Sequence, residues 1–145
     1  VTQPLPSGRD IFKRYNLDAN IHWIEVVDFN HIENANGLPH GILDAIAWVE
    51  SRYDPLARSP AGARGAFQFM PATARHYHVD PLDPIASAKA AGFYLGELLK
   101  KYNGNVDKAI AAYNCGPGRI NKDFPDSLPR QTKAYLAQVK ARMAE

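Results

Sequence analysis

The stretch DAIAWVESRYDP, residues 44–55, sets one carboxylate, Glu50, into a run that otherwise has the pattern of a buried helix. At about 100° per residue, with Ile42 as zero, Ile46 falls at about 40°, Leu43 at about 100° and Glu50 at about 80°, so the acid lies between two aliphatic side chains. Asp44, Trp48 and Ser51 take the other side, where an acid would meet water. Burial disfavours the charged form of a carboxyl group and raises its pKa, which keeps a proton available near neutral pH for a leaving group. The helix alone leaves two readings open. Glu50 is a general acid, or it is a structural acid, paired with Arg52, Arg64 or Arg75 or reaching water at the end of the stripe; the ion pair is the commoner fate.

Working outward, apolar residues recur at helical spacing in almost every segment and no pair of alternating strands stands out. The fold class is therefore all-α, with at most a minor β element. Residues 1–8 read as a linker, residues 9–16 and 20–36 as helical stretches, and Asn36-Gly37 as a turn. Pro39 is placed to open the next helix, which runs to about Ser51 before the stop at Asp54-Pro55. The following segment, rich in Pro, Gly and Ala, reads as a long irregular loop. Pro71 then opens a short helix, and Asp83-Pro84 caps a longer one that ends at Gly104. Asn105 or Asp107 starts the next, which Gly116, Pro117 and Gly118 terminate, and a last helix begins near Pro129. The one boundary that suggests itself lies near residue 36.

The loop carries chemistry of its own. Gly62 and Gly65 allow a backbone to approach a ligand that side chains would block. Gln68 sits among Phe67, Phe69 and Met70, where a neutral amide must find hydrogen bonds. An extended polar ligand with N-acetyl or hydroxyl groups would supply them, and so would the loop backbone. Met70, Phe67 and Phe69 read as core wall.

Composition excludes several classes. The 145 residues are 46% hydrophobic and 22% charged with a net charge of +2, which fits one domain and is too weak a bias to indicate nucleic acid. No segment approaches the ~20 consecutive apolar residues of a membrane span. The single cysteine, Cys115, and five histidines without a matching acid give no metal pattern, so neither metal nor cofactor is expected; the histidines read as surface or cap residues. The N-terminal VTQPLPSG has no basic start followed by an apolar stretch, so no signal peptide is visible in it.

Four stretches in order, ES at residues 50–51, SPAGARGAFQFMPATA at 59–74, AAYNCGPGRI at 111–120 and LPRQTKAYLAQV at 128–139, resemble the successive motifs of lytic transglycosylases. The resemblance is to the soluble-lytic-transglycosylase family, related to goose-type lysozymes, and covers most of residues 36–142. It implies a lysozyme-like helical domain with a substrate cleft over residues 36–145, and leaves residues 1–35 as an N-terminal extension of linker plus helices packed on that domain. It also reverses the balance at Glu50. The activity implied is cleavage of peptidoglycan glycan strands between N-acetylmuramic acid and N-acetylglucosamine with a 1,6-anhydromuramyl product, Glu50 acting first as acid and then as base.

By the same resemblance Ser59 hydrogen-bonds near Glu50 or the 6-hydroxyl, Gln68 contacts the sugar flanking the scissile bond, and Tyr113 orients the substrate acetamide, with Asn114 projecting into the same cleft. Bland readings stand beside these: Ser59 as a turn residue before Pro60, Tyr113 as a core tyrosine. Two positions depart from the family pattern. Gln131 stands where an acid usually precedes the threonine, and Cys115 where alanine is common. Asp54, the only other acid close to Glu50 in sequence, reads as a helix-end cap. The rival activities are a hydrolytic muramidase on the same fold and a non-catalytic peptidoglycan-binding module. The implied setting is the cell envelope, whether periplasmic, secreted or virion-associated; a protein partner for the extension is unknown.

Overall fold

A computed structural model describes residues 22–145; the linker at residues 1–8 and the helix at 9–16 lie outside the described residues. Residues 22–26 are helical, and the chain continues as α1 (Phe29–Ala35), α2 (Ile42–Ser51), α3 (Pro71–His76), α4 (Pro84–Lys101), α5 (Val106–Cys115), a 3-10 turn (Pro117–Arg119) and α6 (Arg130–Met143). The only β pairing among the described residues is a pair of isolated bridges, Arg58 with Arg64 and Arg64 with Phe69. The mostly helical expectation, with its minor β element, holds.

The centre is α2. Ile42, Leu43, Ala45, Ile46 and Ala47 are all buried, so the helix is enclosed on more than one stripe by α1, α4, α6 and the loop after it. Leu43 and Ile46 are fully buried, each worth about 2 kcal/mol of burial free energy. Phe67 from that loop completes the core, meeting Trp23 and Phe29 edge-to-face at 6.0 and 6.3 Å between ring centres. On the opposite flank α4 packs on α1 through Gly92, where a Cβ would stand 2.4 Å from the Ile32 side chain.

Local chemistry explains where the helices begin and end. The single helix expected over residues 20–36 is broken, because the Asp28 carboxylate accepts from the His31 amide and restarts the chain as α1. Helix α2 starts at Ile42 rather than at Pro39. Gly41 at its N-cap has no side chain to offer, and Glu33 from α1 caps it instead, accepting from the Gly41 and Leu43 amides at 3.3 and 3.0 Å. Its end precedes the Asp54-Pro55 stop: Arg52 and Tyr53 take left-handed backbone at φ 55 and 67, and their amides bond to the carbonyls of Trp48 and Ala47. Asp54 caps no helix; its carboxylate accepts from the Leu56 amide in a turn. The remaining starts follow the sequence: Pro71 opens α3, Asp83 caps α4 through the Ala86 amide, and Asn105 caps α5 through the Lys108 amide.

Helix α6 lies along α2 and is tied to it at the far end. The Arg142 guanidinium sits 4.9 Å above the Trp48 ring and donates to the Tyr53 hydroxyl at 2.7 Å, while Tyr53 in turn donates to Asp44. This clamp fixes the register of α6 on α2, and with it the residues that α6 presents to Glu50.

Candidate active site

Glu50 occupies the last turn of α2, half-buried at the base of a cleft of about 420 Å3. Its Oε2 accepts from the hydroxyl of Tyr135 on α6 at 3.2 Å. Burial pushes its pKa from the ordinary 4.5 up to about 7, and the Tyr135 hydrogen bond lowers it only in part. The ion-pair reading is corrected here: none of the three arginines pairs with Glu50 among the described residues. Arg52 lies over Trp48, 4.8 Å from its ring centre, and Arg64 and Arg75 point to another concavity. At a pKa of about 7 the protonated and ionised forms are comparably populated at neutral pH, so the group can both give and take a proton there.

The cleft wall contains Ser59, Gln68, Tyr113 and Asn114 together with Glu50, so the fold brings all five sequence-derived residues to one cavity. Each has part of its hydrogen-bonding capacity already spent on the protein, and what remains defines what it offers a ligand. The Tyr113 hydroxyl donates to the Phe67 carbonyl at 2.8 Å, leaving its oxygen free to accept. Gln68 donates its side-chain amide to the carbonyls of Gly65 and Ala57 at 2.8 and 3.3 Å, leaving Oε1 as acceptor. Asn114 accepts from the buried Thr132 hydroxyl at 2.9 Å, leaving its NH2 as donor. Ser59 Oγ accepts from the Ala63 amide at 2.9 Å, which makes it a turn residue whose O–H remains to be given away; it makes no hydrogen bond to Glu50. Two acceptors and two donors thus surround one protonatable acid. Ligands bearing both N–H and hydroxyl groups match that set.

Two sequence expectations about the loop change. Gly65 is required by backbone, not by a ligand: at φ 84, a Cβ there would lie 1.8 Å from the Pro81 carbonyl oxygen. Gly62 meets nothing within 4 Å, so its φ of 101 is what demands glycine. Met70 is not core wall. It is 44% exposed and lines the cleft beside Thr73, unlike the buried Phe67 and Phe69. Gln131 also lines the cleft, and Cys115 sits beside Asn114 in its wall. All five histidines are exposed.

Tyr135, the hydrogen-bond partner of Glu50, is the candidate residue that sequence reasoning passed over. It lies inside the quoted PRQTKAY stretch, but its partner is 85 residues away and the contact exists only once α6 docks on α2. Glu33 was missed for the same reason.

A mostly helical, lysozyme-like domain whose cleft is lined by a single carboxyl group of raised pKa is the class that fold and site define. Comparison with known proteins makes it specific: the Transglycosylase SLT domain family matches residues 28–136, and the chain belongs to that family. It is 37% identical over 118 residues to the peptidoglycan transglycosylase gp16 of Escherichia phage T7, covering 76% of this chain and 9% of the phage protein. It is 30% identical to the soluble lytic murein transglycosylase of Escherichia coli (strain K12), covering 91% of this chain and 22% of that protein. The crystal structure of the 70 kDa soluble lytic transglycosylase from Escherichia coli superposes with a TM-score of 0.72 at 30% identity, over 80% of this chain and 23% of the other. An inactive mutant of lytic transglycosylase Slt from Pseudomonas aeruginosa gives 0.68 at 27% identity, over 79% and 22%. The chain therefore spans less than a quarter of the length of each of these proteins.

Proposed function

We propose that this domain is a peptidoglycan lytic transglycosylase that cleaves the β-1,4 bond between N-acetylmuramic acid and N-acetylglucosamine, with Glu50 as sole general acid and base. The observation that carries the reading is that Glu50 is the only carboxylate lining the cleft among the described residues, and that burial holds it near pKa 7. Glycosidases of the two-acid type need a second carboxyl group within about 5–10 Å of the first, on the other side of the scissile bond.

In the proposed reaction the Glu50 carboxyl protonates the glycosidic oxygen as the bond to the muramyl C1 breaks. The substrate acetamido oxygen stabilises the cationic carbon. Glu50, now a carboxylate, takes the proton from the C6 hydroxyl as O6 bonds to C1, which closes the 1,6-anhydro ring and restores the acid. No water is consumed. Tyr113, with its own proton committed to Phe67, suits acceptance of the acetamide N–H, which would turn the acetamide oxygen toward C1. Gln68 and Asn114 offer an acceptor and a donor to flanking sugar groups, and Ser59 a donor at the loop.

Trp23 and Ile32 are buried in the same core as α2, which supports residues 22–35 being packed on the domain. The cell envelope is the proposed setting, as the substrate requires. Among the described residues no helix is long and apolar enough to cross a membrane.

Digestion of purified peptidoglycan with mass analysis of the products tests this. The expected products carry anhydromuramyl ends, and Glu50→Gln lowers turnover by about 10²–10⁴-fold while glycan binding persists. Products one water heavier would make the domain a hydrolytic muramidase; no turnover by the unmutated protein would leave a binding module.

A further inference from the structure

Trp23 lies in the helical residues 22–26, ahead of the segment from residue 28 that the family matches. It is 4% exposed, and its two chemically distinct parts go to two different parts of the cleft framework. The indole N–H donates to the Tyr53 carbonyl at 2.9 Å, and Tyr53 belongs to the left-handed turn that closes α2 just after Glu50. The Tyr53 side chain is itself held by Arg142 and Asp44. The indole ring meets Phe67 edge-to-face at 6.0 Å, and the Phe67 carbonyl is the acceptor that aims the Tyr113 hydroxyl, at 2.8 Å. A second link between α2 and this loop is shared: Ser51 Oγ lies 2.8 Å from the Ala66 carbonyl and 3.1 Å from that of Ala47, and one hydroxyl proton serves both.

We propose that Trp23 is a positioning residue for the reaction in the cleft, fixing the exit of α2 and the Phe67 carbonyl relative to each other so that Glu50 and the Tyr113 hydroxyl meet the same muramyl sugar in register. The proposal rests on the transglycosylase reading of the cleft. Glu50 stands in the last turn of α2, and the carbonyls of a last turn have no partner further along the helix, so its placement depends on what holds the turn. Tyr113 is aimed by a loop carbonyl. An indole suits the joint between them, because it is rigid and buried and its single donor has a single acceptor. Phe29 is the contrast. It packs on the Trp23 and Phe67 rings at 5.9 and 6.3 Å, but its side chain has no hydrogen-bonding group, so it fills space without fixing the turn. A reacting group misplaced by about 1 Å can cost about 100-fold in rate, so a brace at one remove from the chemistry acts on kcat.

The test compares Trp23→Phe with Phe29→Leu, each checked for folding by thermal melts, in steady-state digestion of purified peptidoglycan. Trp23→Phe should lower kcat about 10-fold with KM within about 2-fold, whereas Phe29→Leu, with a comparable fall in melting temperature, should keep kcat within about 2-fold. A kcat within about 2-fold of the unmutated protein in folded Trp23→Phe overturns the proposal, and so does an equal loss of kcat in Phe29→Leu, which would make the cluster merely structural. Should Trp23→Phe not fold, β-(3-benzothienyl)alanine incorporated at position 23, which keeps the ring shape and lacks the N–H, is read by the same criterion. A spectroscopic readout stands apart from turnover: the 13Cζ resonance of Tyr113, assigned through Tyr113→Phe, should shift in the Trp23 variant and stay in place in Phe29→Leu. If the unmutated chain digests no peptidoglycan, the activity proposed for the cleft fails on its own, and the Tyr113 resonance decides the brace, an unmoved signal in the Trp23 variant overturning it.

Discussion

Two glutamates bracket α2 and are treated in opposite ways. Glu33, at its N-terminal end, is 1% exposed and has donors for both carboxylate oxygens, the amides of Gly41 and Leu43, with the His40 imidazole 3.6 Å away. Glu50, in its last turn, is half-buried and receives one hydrogen bond, the 3.2 Å contact from Tyr135. Burial therefore does not by itself decide what a carboxylate does. Donors that lock both oxygens make an anchor that holds the helix start, whereas a partly desolvated site with a single donor leaves the proton available to the cleft.

Substitutions at the two ends should break in opposite directions. Glu33→Ala strips two buried amides of their acceptor and leaves a void, so unfolding in urea should show a loss of about 3 kcal/mol, with activity retained below the melting temperature. Equal loss of activity and stability would make Glu33 part of the site and erase the contrast. Glu50→Gln should do the reverse and stabilise the fold. The folded-state pKa of Glu50 lies above its ordinary 4.5, at about 7, so the protonated form is favoured by folding. The penalty for ionising it is absent below about pH 4.5, grows with pH, and is complete above about pH 7. Relative to the unmutated protein, Glu50→Gln should thus gain roughly 1–3 kcal/mol at pH 8 and nothing at pH 4, read from paired thermal melts. A variant less stable at pH 8 would mean that Glu50 is held by donors as Glu33 is.

The smallest change sharpens the comparison. Tyr135→Phe removes the one hydrogen bond that lowers the Glu50 pKa, so the alkaline limb of the pH–rate profile, where the acid loses its proton, should move to higher pH. The accompanying stability change should be within about 1 kcal/mol, and Tyr135→Ala should not reproduce the clean shift because it also opens the core. A limb that stays in place would put the perturbation of Glu50 wholly on burial.

Much of this was legible before folding, for reasons that differ by residue. The Asp83 and Asn105 caps and the Pro71 start read correctly because a cap acts on amides only three residues away, and Gly116 ended α5 because chain stiffness is local. Glu50 was legible as an anomaly on the helical wheel. The start of α2 was misplaced because its cap comes from another helix, brought back by the turn at Asn36-Gly37. The break before Phe29 carried a readable signal, Asp28 as an N-cap inside the apolar run, outweighed there by the longer periodicity.

The sequence by itself determined the helices, the place of one acid on a core-facing stripe, and the set of polar residues available to a cleft, since each depends on neighbours along the chain. Only the tertiary structure decided that Tyr135 rather than an arginine faces Glu50, and that Arg64 and Arg75 turn to a separate concavity. It also decided which donor or acceptor each cleft residue keeps free. The physical reason is that desolvation and hydrogen-bond partners are set by what packs across a gap, and an 85-residue separation carries no local trace of the contact.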